Sequence, residues 1–252
     1  MESDWDFYFC ELNGRPASIL LDLAYGETGP VAGLNECLIM RLTLREVRED
    51  GLPTRAENER LAELEDALEQ AWEAGADDVC HVGRVTTNGW RDFFFYCREP
   101  QAFYEKLTEA LARFSDYQPE FGLEDDPEWQ IYFGLLYPSD REWQMISSER
   151  LLRYLEESGD QPEIERDVVH WVAFDSEEAR TGFVQKVSRL GFQTRSVPED
   201  ETDMPFAVEV SRRQAADRNS IHETVFLLYD LSQEFGGKYD GWETSVERGD
   251  AA

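Results

Sequence analysis

Gly236-Gly237-Lys238-Tyr239-Asp240-Gly241-Trp242-Glu243 follows an amphipathic run, so it closes an α/β pattern and does not open one. From about Ser220 to Phe235, the side chains of Ile221, Val225, Leu228 and Phe235 fall on one helical stripe. Gly236 supplies the left-handed residue that ends such a helix at low steric cost. Tyr239-Asp240-Gly241-Trp242 is expected to bend the chain into a last strand, Glu243 to Val246, with Asp240 as the turn-former bonding backbone amides. Backbone geometry is the expected reason for Gly236, Gly237 and Gly241. The Gly-Lys pair does not make a phosphate loop. That motif needs a glycine five positions before the second and a helix after it, and here Ser232 holds the position and the helix comes first.

Upstream, Asp167 to Phe174 (DVVHWVAF) is β-branched and aromatic, as a buried strand should be. Ser176 suits a helix N-cap, and Glu177 and Glu178 suit the positive end of its dipole. The stripe of that helix is Phe183, Val184, Val187 and Leu190, and Gly191 stops it. Phe192 to Val197 reads as a strand and Pro198-Glu199-Asp200 as a turn. Phe206, Val208 and Val210 alternate with polar or small residues, giving a strand with one buried face. The order βαββαβ predicts a ferredoxin-like domain over 166–248, with two helices on one face of a sheet.

The run from Arg166-Asp167-Val168-Val169-His170-Trp171 to Gly236-Gly237-Lys238-Tyr239-Asp240-Gly241-Trp242-Glu243 resembles the family called regulator of ribonuclease E activity B. The Gly-Gly-x-Tyr-Asp-Gly-Trp-Glu segment is its specific part, and the resemblance covers about the last third of the chain. It implies a ferredoxin-like, acidic protein inhibitor that binds the endoribonuclease, restrains cleavage of a subset of transcripts and has no catalytic site. On that reading Tyr239, Asp240, Trp242 and Trp171 are the expected protein contacts, because exposed aromatics anchor interfaces. A structural role stays open beside it. Trp242 beside Tyr239 would then cap the core edge, and His170 would be a satisfied structural histidine. Periodicity does not say which face of the strand carrying Trp171 meets the helices.

The rest of the chain reads as a second α+β domain, 1–138, followed by a helix and linker, 139–165. With 252 residues, 41% of them hydrophobic, there is material for one large domain or two small ones. Asn13-Gly14 and Asn88-Gly89 each separate two strand-like runs, and Asn-Gly accepts the positive φ angles of a type I′ hairpin turn. Thr54 and Glu57 form a capping box for a helix with Leu61, Leu64, Leu68 and Trp72 inward, ended near Gly75. Pro100 opens another, with Phe103, Leu107, Leu111 and Phe114 on its stripe. Ser139 and Glu142 make a second capping box, for a helix running to about Glu157. From about Leu34 to Leu123 the order is again βαββαβ, a ferredoxin-like core preceded by a hairpin. A second recurrence, from Arg91-Asp92 and from Arg166-Asp167, is offset by 75 residues. The polar stretch between Glu156 and Arg166 is the expected linker.

This first domain is similar to an uncharacterised bacterial family with no assigned function. The matching residues are Gly51-Leu52-Pro53, Glu57 with Leu61, the Asn88-Gly89 hairpin, Phe95-Tyr96, Asp126-Pro127-Glu128-Trp129, Tyr132 and Leu136-Tyr137-Pro138. The similarity implies a boundary near Pro138 and no chemistry.

Charge excludes more than it assigns. There are 54 acidic and 24 basic residues, a formal net charge of −30. From Gln161 onward the counts are 19 and 10, net −9, which leaves −21 on the first 160 residues. Both parts lack the basic footprint that phosphate contacts require, so direct nucleic-acid binding is not expected. A basic protein surface, that of ribonuclease E or a similar enzyme, is the expected partner. Cys10, Cys37, Cys80 and Cys97 have no paired close spacing, and all fall in predicted strands as buried free thiols. Cys80 and His81 are adjacent and would point to opposite faces of a strand, which argues against shared ligation. His222-Glu223 lacks a second histidine, and no serine sits in a nucleophile elbow. No cofactor, metal or enzymatic activity is expected. The start MESDWDFYFC lacks a basic region and a long apolar core, so a cytoplasmic protein outside the membrane is expected. The alternative to a ribonuclease inhibitor is a general interaction module whose N-terminal domain chooses an unrelated partner, and a third reading is a hydrolase-like activity in the first domain.

Overall fold

Two Asn-Gly turns lay out the first sheet. Asn13 and Gly14 sit at φ 52° and 74°, and Asn88 and Gly89 at 45° and 86°, the left-handed pairs that a type I′ hairpin needs. They join β1 (Trp5–Leu12) to β2 (Arg15–Asp22) and β4 (Val79–Thr87) to β5 (Trp90–Cys97). The structure, a computed structural model, describes residues 2–73, 78–198 and 204–249. The expected helix stop at Gly75 and the turn at Glu199-Asp200 lie outside the described residues. The chain divides into two compact units, Met1–Pro138 and Ser139–Ala252.

In the first unit β3 (Glu36–Thr43) and β6 (Pro119–Asp125) complete an antiparallel six-stranded sheet of order β1-β2-β4-β5-β3-β6. A short helix, α1 (Tyr25–Thr28), follows β2. Helices α2 (Arg55–Glu73) and α3 (Pro100–Leu111) bury Leu61, Leu64, Leu68, Phe103 and Leu107 against Met40, Leu42, Phe93 and Phe95. Each such side chain contributes roughly 1.5–3 kcal/mol on full burial. The capping box at α2 is only half formed. Thr54 Oγ1 accepts from the Glu57 amide at 3.2 Å, but the Glu57 carboxylate turns into the unit and accepts from Arg45 N and the Tyr117 hydroxyl instead. It is a buried polar bracket between loop and helix.

An aromatic cluster packs in the same unit, built on the motif that ran through 126–137. Asp126 accepts from the amides of Gln130 and Ile131 and from the Tyr96 hydroxyl at 2.6 Å. Trp129, at φ 52°, stacks on Tyr96 with 4.1 Å between ring centroids and donates to Leu34 O. A π-helical turn, Tyr132–Leu136, follows. Periodicity did not announce it. These motif residues are thus explained by packing and hydrogen bonding.

In the second unit α4 (Asp140–Glu157), capped by the expected Ser139–Glu142 box, precedes β7 (Arg166–Ala173). Then come α5 (Glu177–Arg189), β8 (Gln193–Pro198), β9 (Phe206–Gln214), α6 (Arg218–Glu234) and β10 (Lys238–Thr244). The sheet is antiparallel in the order β10-β7-β9-β8, the ferredoxin-like arrangement. In the first unit β6-β3-β5-β4 repeats that order, so the repeated topology pairs β3 through β6 with β7 through β10. The offset of 75 residues is corrected: residues 91–155 hold two strands, α3, the π-helical turn and α4, not strand-helix-strand-strand-helix.

The segment 156–166 is not a free linker. Arg166 and Asp160 form an ion pair with side chains 2% and 3% exposed, and Arg166 also donates to Gln161 O and Ser245 O. Gln161 N donates to Glu247 O and Ala216 N to Pro162 O. Because those carbonyls and amides are paired within the second unit, the stretch is part of it, although most of its side chains are exposed. α4 belongs to the same unit through Leu152, which packs on its core.

Candidate functional site

The four expected contacts do not form one patch. β10 starts at Lys238, earlier than expected, and Tyr239-Asp240-Gly241-Trp242 lies inside the strand. Register on β7 runs Tyr239↔Val172, then Gly241↔Trp171 and Trp242↔His170, so Asp240 is the extra residue of a bulge. It is not a turn-former: its side chain is exposed, 3.6 Å from Lys238 Nζ. The bulge keeps both aromatic residues on the helix side of the sheet. Tyr239 is 2% exposed, a core residue and not a surface contact, and its hydroxyl lies 2.8 Å from His170 Nδ1. Burial, with Arg212 nearby, pushes His170 down to about 3 and keeps it neutral beside that hydroxyl. Trp242 is half-buried against the same core and donates Nε1 to Ser148 Oγ of α4 at 3.1 Å.

Two glycines of the motif have different reasons. Gly236 sits at φ 67° with open space where a Cβ would be, so conformation requires it. Gly237 has no positive φ; a Cβ there would run into the Phe174 ring, so space requires it.

Trp171 takes the other face. Val168, His170, Val172 and Phe174 are buried under the helices, and Trp171, with Val169 and Ala173, lines the opposite face and is only partly covered. Directly paired residues share a face of an antiparallel sheet. Trp171 therefore lies between Gly241 of β10 and Glu209 of β9, and Val169 between Glu243 and Ser211. Asp167 stands two residues along, opposite Arg213, and Glu209 is ion-paired with Arg195 of β8. The result is one indole among charges of both signs, flanked on one side by a residue with no side chain.

Among the described residues no group of three His, Cys, Asp or Glu could hold a metal ion. Cys37 and Cys97 are buried, and burial pushes their thiols up to about 12 and about 11. Cys10 and Cys80 are only partly buried, a correction to four buried thiols, and Cys80 is also raised by burial. Thiols held protonated are poor nucleophiles. Among the described residues no helix is long and apolar enough to cross a membrane.

Sequence reasoning missed a polar cluster between α4 and α6. Glu149 Oε1 lies 2.7 Å from Arg218 Nε and 3.1 Å from His222 Nε2. Burial pushes this carboxyl up, but the contacts with His222 and Arg218 outweigh it and hold it at about 2. The signal was present only as charges 69 residues apart.

No curated protein matches the chain. Among solved structures it is similar to an unknown protein from Galdieria sulphuraria, at 10% identity and TM-score 0.22, covering 84% of this chain and 99% of that one. It is also similar to a protein described as a glycine cleavage system transcriptional repressor, at 9% identity and TM-score 0.25, covering 84% and 98%. Neither likeness is close enough to bear on fold or function. Residues 145–244, which hold nearly all of the second unit's sheet and helices, match regulator of ribonuclease activity B. Residues 3–137, more than half of the chain, match a family of unknown function, DUF695, and the chain belongs to that family.

Proposed function

We propose that this protein is a non-catalytic regulator whose second unit binds ribonuclease E, or a related RNA-decay enzyme, and inhibits it by occupying a surface. The match of residues 145–244 to regulator of ribonuclease activity B carries this reading. The open sheet face supports it. Trp171 offers a large, rigid anchor of the kind that dominates interface energetics. Around it Glu209 is paired with Arg195, Asp167 faces Arg213 and Asp240 lies near Lys238, which leaves exposed Glu243 as the carboxylate a basic partner would complement. Trp242 serves mainly to hold β10 against α4. A ribonuclease partner implies a cytoplasmic protein, and the net charge of −30 disfavours contact with the RNA itself.

The test is cleavage of an RNA substrate by purified ribonuclease E with increasing full-length protein. Cleavage should slow while the protein fails to shift the RNA in a gel. Unchanged cleavage at saturating protein overturns the proposal. Raising salt should lower the association rate more than it raises dissociation if charge steers encounter. A second reading is favoured by the size of the DUF695 match: the first unit selects an unrelated partner and the second is a general interaction module. It predicts capture of a protein other than a ribonuclease by the full chain.

A further inference from the structure

The first unit holds a cavity of about 460 Å³ that the ribonuclease reading does not use. Its volume falls in the range of small-ligand sites, roughly 300–1,000 Å³. Four aromatic rings and four carboxylates line it. Trp5, on edge strand β1, is 39% exposed, and its ring centroid lies 5.0 Å from that of His81 on β4. Trp72, in the last turn of α2, has its ring 4.6 Å from that of His81. The imidazole thus contacts both indoles, and its buried Nε2 has no hydrogen-bond partner.

The placement follows from local structure. β4 carries a bulge between His81 and Gly83, and bulges re-aim the side chains beside them. On α2, Asp66, Glu69 and Trp72 recur every three residues and so present one side of the helix to the cavity. Asp22, buried at the end of β2, lines it too, with Oδ1 accepting from the amides of Asp4 and Ala24.

The charge balance at the site is uneven. Of the lining carboxylates, Glu65 is matched by Arg91 and Arg84, with contacts of 2.5 Å and 3.4 Å. Asp66 and Glu69 are exposed, and neither carboxylate has an ion-pair partner among the described residues. Burial, with Arg84 nearby, pushes His81 down to about 3, so the ring adds no positive charge at neutral pH. The faces of indoles attract cations, and more strongly where water is excluded. Aromatic walls suit an organic cation better than a hydrated metal ion, which prefers oxygen ligands throughout.

We propose that this cavity binds an organic cation of side-chain size, an alkylguanidinium or alkylammonium group, against Trp5 and Trp72 with Asp66 and Glu69 opposite its charge. The proposal is independent of what the second unit binds. The cation has two possible sources, a free small molecule or a basic side chain of another protein, and the chemistry of recognition is the same.

The test is calorimetric titration of the full-length protein with N-acetyl-arginine amide and with a glycine-flanked arginine tripeptide, each beside its neutral citrulline counterpart. Both arginine compounds should saturate and bind about tenfold or more tightly than the citrulline forms. Tighter binding of the tripeptide assigns the site to a protein partner, and equal binding to a free cation. D66N/E69Q should weaken the arginine compounds about tenfold with melting unchanged, since both side chains are exposed. Trp5→Ala, at an exposed edge position, should weaken them as well. Absence of saturation up to about 10 mM would overturn the proposal. So would equal binding of the citrulline forms, or an affinity that D66N/E69Q leaves unchanged.

Discussion

Gly236 and Gly237 are neighbours that answer to different constraints, and substitution separates them. Gly236→Ala places a Cβ in open space at φ 67° and should cost about 1 kcal/mol, the ordinary penalty of a left-handed conformation. Gly237→Ala drives a Cβ into the Phe174 ring inside the core and should cost about 1–3 kcal/mol. Denaturant midpoints of the two variants decide the order. The aromatic residues separate in the same way. Trp242→Ala removes a half-buried side chain and the hydrogen bond to Ser148, so it should cost about 2 kcal/mol, below the 3–5 kcal/mol of a fully buried Trp. Trp171→Ala, on the open face, should melt nearly as the parent and lose inhibition. If instead Trp171→Ala inhibits normally, the open face is not the contact surface.

At the scale of elements, α4 is held to α6 by a titratable contact. The Glu149 carboxyl titrates at about 2 in the folded protein, below the ordinary carboxylate value near 4.5. Folded-state depression means the stabilisation is fully present above the unfolded value, and it is lost as pH falls from about 4.5 through about 2. Discounted for partial solvent screening, the contact contributes about 1–2 kcal/mol at neutral pH. Glu149→Gln should therefore lower stability by that amount at pH 7, and the gap to the parent should shrink as pH falls below about 4.5. Urea unfolding of both proteins at several pH values reads it directly; a gap independent of pH would remove Glu149 from the docking of α4.

For the whole chain, the boundary that matters lies before α4 and not after it. A fragment of residues 139–252 retains the Arg166–Asp160 pair, Leu152 and the Ser148–Trp242 hydrogen bond. A fragment beginning at 166 loses all three, and the Arg166 guanidinium also loses its bonds to Gln161 O and Ile164 O. Hydrogen bonds to a charged group contribute about 1.5–3 kcal/mol each, so losing these with the Leu152 and Ser148 contacts removes a large share of the stability of a small domain. The longer fragment should melt cooperatively, and the shorter should be largely unfolded at 37 °C by circular dichroism. Equal melting of the two would mean that α4 is dispensable.

The elements of both sheets were legible in the sequence, because they rest on local physics. Asn-Gly turns, β-branched runs and helical stripes specify conformation within a few residues, and a helix cap such as Ser139 with Glu142 states its own start. The family of each half was also legible, from motifs whose spacing survives without knowledge of contacts. What only the tertiary structure decided is which side of each element faces what. Alternation placed Trp171 opposite His170, but only the packing of α5 and α6 shows that His170 goes inward and Trp171 outward. A polar stretch at 156–166 looks the same in sequence whether water or Arg166 satisfies it. The one extra residue at Asp240 turned an expected bend into a bulged strand and put Tyr239 in the core. The cavity beside His81 gathers Trp5, Trp72 and two carboxylates of α2 from separate elements, and sequence carries no term for such long-range juxtaposition.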